Sequence, residues 1–162
     1  MEIERKYLIS SFPEHLEIFP WRLIQQGYLS VSPVVRVRRD GDDFYLTYKS
    51  KGLMIREEYN LPLTGDSYEH LLSKADGNIL TKKRYCIPLS NGLTAELDIF
   101  HGLFKGLALV EVEFPDENQA NHFQPPEWFG KEVTFSGEYQ NSRLSSMGED
   151  EAKKIIKNGN FL

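Results

Sequence analysis

Charged and apolar side chains alternate at the start of the chain, and this alternation restricts the fold more than any other feature. Glu2, Glu4 and Lys6 occupy every second position, with Ile3 and Arg5 between them. Successive side chains of a β-strand point to opposite faces, so two carboxylates and an ammonium group share one face. Burying such a face is costly unless its charges are neutralised. The face must therefore meet water, ions or a charged ligand.

The same alternation continues through most of the sequence. Period-two patterns predict β-strands, and they cover residues 2–9, 23–31, 34–39, 44–50, 55–62, 80–89, 93–100, 107–114 and 133–135. Asn91-Gly92, between two of these runs, predicts a β-hairpin. Helices are expected only over residues 66–75 or 67–75, 116–123 and 149–158. The predicted fold class is therefore mainly β, with a barrel or a strongly curved sheet.

Sorting the strands by parity places acids and bases in equal number on one face. The members of this alternating charged set are Glu2, Glu4, Lys6, Arg36, Arg38, Lys49, Arg56, Glu58, Lys82, Arg84, Glu96, Asp98, Glu111 and Glu113. An open sheet with this face in water is the ordinary explanation. Two observations favour a closed barrel instead. A solvent face normally mixes Thr, Ser, Gln and Asn with charged residues, whereas the positions on this face are nearly all Arg, Lys, Glu or Asp, and Glu111 and Glu113 lie in an otherwise apolar run. We therefore predict a charged lumen and an apolar outer face.

The residue types of this lumen indicate its ligand. Arginine grips phosphate oxygens in pairs and lysine supplies a point charge, so the bases suit a polyphosphate. Clustered carboxylates suit a hard divalent cation with oxygen ligands, Mg²⁺ or Mn²⁺. Acids alone would indicate a metal site and bases alone an anion site. The mixture predicts a complex of metal and polyphosphate.

Composition argues against several other classes. The net charge of −5 argues against a nucleic-acid partner, and no apolar run reaches the ~18 residues of a membrane span. A single cysteine, Cys86, excludes an intramolecular disulfide and favours a cytoplasmic location. With 162 residues, 40% of them hydrophobic, we expect one domain over residues 1–162. A homodimer would cover an apolar outer barrel face that few helices can shield.

The ordered motifs resemble those of the CYTH superfamily, the triphosphate tunnel metalloenzymes. The resemblance begins with Glu-x-Glu-x-Lys at residues 2–6 and covers nearly the whole chain in order. Its further elements are Val35-Arg36-Val37-Arg38, Leu46-Thr47-Tyr48-Lys49, Arg56-Glu57-Glu58-Tyr59, Lys82-Lys83-Arg84, Glu96-Leu97-Asp98, Glu111-Val112-Glu113-Phe114 and Glu132-Val133-Thr134. The resemblance implies a single tunnel domain: an eight-stranded antiparallel β-barrel with a charged lumen and a few flanking helices. It also implies a triphosphate-containing substrate and a divalent metal.

The resemblance also implies roles for individual residues. The implied metal ligands, or acids that support the metal, are Glu2, Glu4, Asp98, Glu111 and Glu113. The implied phosphate-binding residues are Lys6, Arg36, Arg38, Lys49, Lys82 and Arg84, joined by Arg56 and Glu58 unless the register turns Glu57 inward. The implied catalytic residues are Glu2, Glu4 and Lys6, and either glutamate would position and activate the attacking water. Where the family often has a basic residue before tyrosine, this chain has Glu138, and Lys131 is either its substitute or an exposed surface lysine.

One segment distinguishes the groups within the superfamily. Residues 25–29, Gln-Gln-Gly-Tyr-Leu, resemble the compact form of the short bacterial enzymes that hydrolyse inorganic triphosphate. The Tyr-Phe-Asp-type segment usual in thiamine triphosphatases and adenylate cyclases is missing. The expected function is therefore a metal-dependent inorganic triphosphatase, with some turnover of nucleoside triphosphates. The alternatives are a class IV-type adenylate cyclase, a thiamine triphosphatase and a non-catalytic module that binds polyphosphate or nucleotide.

Overall fold

The computed structural model describes residues 1–159, and the last three residues of the predicted domain, 160–162, lie outside the described residues. The strands are β1 (Glu2–Ile9), β2 (Trp21–Val31), β3 (Val34–Asp40), β4 (Asp43–Lys49), β5 (Ile55–Arg56), β6 (Glu58–Pro62), β7 (Asp76–Pro88), β8 (Thr94–Phe100), β9 (Ala108–Glu113) and β10 (Phe129–Glu132). The α-helices are α1 (Gly65–Leu72), α2 (Glu117–Asn121), α3 (Asn141–Ser145) and α4 (Glu149–Gly159). Short 3₁₀ turns lie at Leu16–Ile18, Ser90–Gly92 and Gly102–Phe104.

These strands form one antiparallel sheet in the order β10-β1-β9-β8-β7-β2-β3-β4-β6. The sheet nearly closes on itself because the predicted strand 55–62 breaks at Glu57. On one side of the break β6 pairs with β4 through Glu58 and Lys49, and on the other β5 pairs with β1 through Arg56 and Glu2. With β5 and β6 counted as one kinked strand, eight strands surround the interior. The antiparallel barrel expected from the sequence is confirmed.

The inner face of this ring changes from charged to apolar along its length. On β1 and β9, Lys6 and Glu111 each lie two positions from a leucine, Leu8 and Leu109. Both leucines belong to a buried cluster. From α3, α4 and the residues between them, the cluster also contains Leu144, Met147, Ala152 and Ile155. The C-terminal helices thus pack an apolar base against one end of the barrel, and the charged lumen lies beyond it.

The outer face of β1 and β9 is covered as well. Tyr7, Val110 and Val112 are buried in a second apolar cluster with Phe129 of β10. Arg5, on this outer face, donates to the Glu132 carboxylate at 2.8 and 2.7 Å and so fastens β10 to β1.

None of the helices within residues 1–159 is both long and apolar enough to cross a bilayer.

The strand predicted at residues 133–135 is wrong, because β10 ends at Glu132. The Val133 N–H still donates to the Lys6 carbonyl at 2.8 Å. The Lys6 N–H, however, donates to the hydroxyl of Thr134 at 2.9 Å. A side-chain oxygen has replaced the backbone acceptor, so the regular ladder stops there.

The boundaries of the first helix also differ from those predicted. Thr64 caps it, because its hydroxyl accepts from the Ser67 N–H at 3.1 Å and the Ser67 hydroxyl accepts from the Thr64 N–H at 3.1 Å. This reciprocal pair satisfies two backbone donors. The helix ends at Leu72, and β7 begins at Asp76, four residues earlier than the strand pattern indicated. The long C-terminal helix is confirmed, at Glu149–Gly159.

The predicted hairpin and the second predicted helix are both present. β7 and β8 pair on either side of a loop of residues 89–93, in which Asn91 adopts a left-handed φ of 62°. Asp116 caps α2 as predicted, accepting from the Gln119 N–H at 2.7 Å, although the helix ends at Asn121 rather than residue 123.

Helix α3, which the sequence patterns did not predict, is fastened to β7. The Asn78 side-chain amide donates to the carbonyls of Leu144 at 3.2 Å and Met147 at 2.8 Å. Next to it, Gly77 allows the two backbones to approach closely, since a Cβ there would collide with the Ser145 carbonyl oxygen. These contacts fix the end of α3 and the residues that follow it.

Two glycine substitutions test this close approach. Gly77 and Gly92 both have positive φ, +69° and +73°, but only Gly92 has open space around it. Gly92→Ala should therefore destabilise the protein by about 1 kcal/mol, from backbone conformation alone. Gly77→Ala adds a steric collision and should cost roughly 3 kcal/mol or more. Urea unfolding measures both, and equal losses would contradict the packing of α3 on β7.

Candidate active site

The charged part of the barrel encloses a cavity of about 330 Å³. All members of the alternating charged set line it except Lys82 and Asp98. The lining members are Glu2, Glu4, Lys6, Arg36, Arg38, Lys49, Arg56, Glu58, Arg84, Glu96, Glu111 and Glu113. Arg56 and Glu58 both face the cavity across the break at Glu57, which is itself exposed. Strand parity therefore predicted most of the side chains that share this space.

One wall of the cavity is acidic. The register of β1, β8 and β9 sets Glu4 opposite Glu113 and Glu96 opposite Glu111; these four residues are called the carboxylate wall below. Burial, with the carboxylates of Glu111 and Glu2 nearby, raises the pKa of Glu4 to about 8. Burial and the carboxylates of Glu2 and Glu96 also raise the pKa of Glu113. The closely spaced carboxylates therefore disfavour the ionised forms of Glu4 and Glu113.

Basic side chains neutralise part of this acidity. Lys6 Nζ lies 3.2 Å from the Glu111 carboxylate, and Lys49 Nζ lies 2.8 Å from that of Glu2. Arg56 Nη2 lies 3.6 Å from the Glu4 carboxylate and 4.0 Å from the same Glu2 oxygen. Burial acts to raise the pKa of Glu111, but Lys6 and other nearby cations outweigh it and hold that pKa well below its ordinary value. Glu111 thus carries its charge, in contrast to Glu4.

Arg36 and Arg38 lie on β3, across the ring from β9, and are called the arginine wall below. Arg36 donates to the Thr47 hydroxyl at 3.3 Å, and its buried Nε finds no hydrogen-bond partner in the described part of the chain. Arg38 donates to the Gln26 side-chain oxygen at 2.7 Å. Burial and the charges of Arg36 and Arg84 lower the pKa of Arg38 to about 9. Within residues 1–159 neither guanidinium pairs with a carboxylate, so this wall attracts an anion.

Lys82 and Asp98 lie behind the cavity wall, at 0% and 1% exposure. Asp98 accepts two hydrogen bonds from Arg84, at 2.7 and 2.9 Å, and lies 2.7 Å from Lys82 Nζ. The resemblance implied that Lys82 binds phosphate and that Asp98 serves the metal. The structure brings neither side chain to the cavity surface.

Sequence reasoning missed several lining residues. They are Arg22, Tyr28, Val34, Asp40, Asn60, Gln140, Asn141 and Ser142. Asp40 continues the inward parity of β3, and it pairs with Arg22 at 2.6 Å, so parity could have found it. Residues 140–142 lie at the start of α3, where no strand period exists to reveal them. Lys131, the proposed basic substitute, is exposed and does not line the cavity.

The carboxylate wall fits a hard divalent cation by its chemistry. Within residues 1–159 no group of three or more His, Cys, Asp or Glu side chains forms a ready-made metal site. The wall nevertheless presents oxygen donors, as Mg²⁺ and Mn²⁺ prefer. The raised pKa values of Glu4 and Glu113 show that their ionised forms are poorly stabilised in the free protein, and a bound cation would favour those forms.

An antiparallel barrel that nearly closes around facing arginine and carboxylate walls has the architecture of the triphosphate tunnel proteins. The chain is 40% identical over 148 residues to an inorganic triphosphatase from Nitrosomonas europaea, a match that covers 89% of this chain and 96% of that protein. It is 37% identical over 148 residues to an inorganic triphosphatase from Acetivibrio thermocellus, covering 88% of this chain and 92% of that one.

A solved structure agrees with these two relatives. The crystal structure of the inorganic triphosphatase NE1496 superimposes with a TM-score of 0.69 and 36% identity, covering 91% of this chain and 96% of that chain. No family model matches the sequence. The chain belongs to the inorganic triphosphatases of the CYTH superfamily.

The burial of Glu4 should make stability depend on pH. Because folding raises its pKa from 4.5 to about 8, the folded state keeps a proton that the unfolded state releases, so stability falls as the pH rises through this window. With chelator present, Glu4→Gln should therefore be more stable than the wild type at about pH 8.5, by roughly a few kcal/mol, and equally stable below about pH 4.5. Urea unfolding from about pH 4 to 9 measures the difference.

An exposed glutamate supplies the control for this prediction. Glu14 lies in a surface segment, and Glu14→Gln should change the free energy of unfolding by less than about 0.5 kcal/mol. If the stability gain of Glu4→Gln stayed constant across the pH range, it would not arise from the raised pKa of Glu4, and the prediction would be wrong.

Proposed function

We propose that this protein is a divalent-metal-dependent triphosphatase that hydrolyses inorganic triphosphate inside its barrel. The observation that best supports the proposal is the pair Arg36 and Arg38, which lack carboxylate partners among residues 1–159 and lie across the ring from the carboxylate wall. A polyphosphate would neutralise the guanidinium groups, and a metal bound to the same chain would neutralise the carboxylates. An anion alone or a cation alone would compensate only one of the two walls.

The basic residues hold the phosphate chain. Arg36 and Arg38 each present a planar fork of N–H donors, which matches two oxygens of a phosphate group. The other basic residues that we assign to the phosphates are Lys6, Lys49, Arg56 and Arg84. Together they keep the anion in line for attack and stabilise the charge that spreads over the phosphate oxygens in the transition state.

The acidic residues hold the cation. We assign Glu2 and the carboxylate wall, Glu4, Glu96, Glu111 and Glu113, to a divalent metal, Mg²⁺ or Mn²⁺. When bound, such a cation polarises phosphate oxygens and acidifies a coordinated water. Lys6 and Lys49 already pair with Glu111 and Glu2, so they lie where metal ligands and phosphate contacts meet.

Hydrolysis also needs a proton acceptor. A water oxygen forms a bond to a terminal phosphorus, the bridging P–O bond breaks, and orthophosphate and diphosphate leave. Glu2 and Glu4 are the candidate acceptors for the proton of the water. Burial raises the pKa of both, that of Glu4 to about 8, so in the free protein Glu4 holds a proton near neutral pH. Either glutamate would accept a proton from water only in its ionised form, which a cation held by the carboxylate wall would favour.

The other functions considered from the sequence have less support. Both relatives, at 40% and 37% identity, are named inorganic triphosphatases, which favours this substrate over ATP cyclisation or thiamine triphosphate hydrolysis. A non-catalytic binding module would gain nothing from carboxylates that face its anion. A cytoplasmic location and a homodimer stay predictions.

A phosphate-release assay on a panel of triphosphates tests the proposal. Inorganic triphosphate, ATP and thiamine triphosphate would each be incubated with Mg²⁺, with Mn²⁺ and with chelator. We expect inorganic triphosphate to react fastest, to require metal and to give equal amounts of orthophosphate and diphosphate. Cyclic AMP from ATP, faster release from thiamine triphosphate, or tight binding without any release would each overturn the assignment in favour of the corresponding alternative.

A matched pair of arginine variants tests the arginine wall. Arg36→Lys keeps the charge but loses the fork, and we expect kcat/KM to fall by about 10- to 1,000-fold, or roughly 1.4 to 4 kcal/mol of transition-state stabilisation. Arg39→Lys is the control, because Arg39 lies on the same strand with the opposite parity and is exposed. It should leave kcat/KM nearly unchanged. Equal losses in both variants would contradict the placement of substrate against Arg36.

A further inference from the structure

We propose that Asp98 and Lys82 are positioning residues, which hold Arg84 and Asn141 in place and touch neither metal nor phosphate. The inference rests on the proposed triphosphatase function, because it concerns how that site is kept in shape. It departs from the roles that the superfamily resemblance implies for both residues, an acid of the metal site and a phosphate-binding lysine.

The two oxygens of Asp98 are already occupied. Oδ1 accepts from Arg84 Nε at 2.7 Å, and Oδ2 accepts from Arg84 Nη2 at 2.9 Å and lies 2.7 Å from Lys82 Nζ. Both oxygens of the Asp98 carboxylate therefore already have cationic partners. A metal could reach it only after this buried pairing had been broken.

Lys82 is equally remote from the cavity. Besides Asp98, its ammonium contacts the Asn141 side-chain oxygen at 3.3 Å and lies 5.5 Å from the centre of the Phe100 ring. A fully buried lysine is costly unless its partners compensate it. Here the partners come from β8 and from the start of α3. Lys82 therefore joins the barrel wall to the segment that forms part of the cavity lining.

The groups held by this pair do face the cavity. Arg84 and Asn141 both line it. Asp98 holds the Nε and Nη2 edge of the guanidinium, and Glu96 accepts from Nη1 at 3.1 Å. A bidentate pair of this kind fixes a guanidinium in both position and plane. Phosphoryl transfer depends on such placement to within ~0.5 Å, so losing Asp98 should reduce turnover without removing a metal ligand.

Metal binding by the free protein separates the two roles of Asp98. Mn²⁺ would be titrated into wild type, Asp98→Asn and Glu113→Gln by calorimetry in the absence of substrate. We expect Asp98→Asn to change the Mn²⁺ affinity by less than about threefold, the effect of losing a distant charge, while kcat/KM for inorganic triphosphate falls about 10- to 100-fold. Glu113→Gln should weaken Mn²⁺ binding by at least about tenfold. An equal loss of Mn²⁺ affinity in both variants would overturn the inference.

A double-mutant cycle tests whether Asp98 acts through Arg84. If it does, Arg84→Lys combined with Asp98→Asn should lose no more kcat/KM than the worse of the two single variants. Independent roles would make the losses multiply, which would contradict the inference. Asn141 is the residue that Lys82 holds at the cavity. Asn141→Ala should raise KM for triphosphate and leave Mn²⁺ affinity unchanged.

Folding and function are controlled separately. The Asp98→Asn substitution leaves Arg84 and Lys82 without their carboxylate partner. Circular dichroism therefore checks first that this variant folds. If it does not fold, Asp98→Asn with Lys82→Met removes one charge of each sign, keeps the network balanced and takes the place of the single variant in each measurement. A wild type that binds Mn²⁺ but releases no phosphate from triphosphate refutes the proposed function. A loss of Mn²⁺ affinity on changing Asp98 refutes only the positioning role.

Discussion

The compensation of charge inside the barrel is the constraint on which the rest of this structure depends. Strand alternation sends the charged side chains inward, and the apolar side chains on the opposite face of β1 and β9 are covered by β10 and its neighbours. Buried charges must then be paired, hydrated or met by a ligand. Lys6 with Glu111 and Lys49 with Glu2 satisfy part of this requirement within the protein. The other buried charges have to be compensated by water or by a ligand that binds in the lumen.

The degree of compensation separates supporting residues from candidate ligand-binding residues. Arg84 and Asp98 form a closed, bidentate pair behind or at the cavity wall, and such pairs rigidify a site. Arg36 and Arg38 have no carboxylate partner within residues 1–159, and Glu4 is buried near other carboxylates. Retaining charges in this state lowers the stability of the free protein. Proteins commonly accept that loss at binding sites, where a ligand of opposite charge offsets it.

The irregular parts of the fold confine the cavity. The break at Glu57 lets one stretch of chain pair with both β4 and β1, which brings the ring close to closure. The apolar base formed with α3 and α4 ends the charged lumen on one side. Asn78 and the close approach at Gly77 fix α3 against β7, so that residues 140–142 can line the cavity. Elements with no charged motif thus decide the shape of the site.

The sequence by itself determined which side of each strand would be charged, because period-two alternation is a local property of extended backbone. Arg36 and Glu113 follow from parity alone, whereas Arg56 and Glu58 follow from one of the two registers that the sequence left open. Only the tertiary structure decided which charges are paired and how deep they lie, since that depends on strand register and on the order of strands around the ring. It placed Asp98 behind the cavity and brought residues 140–142 into it, because both depend on packing between segments that are distant in the chain.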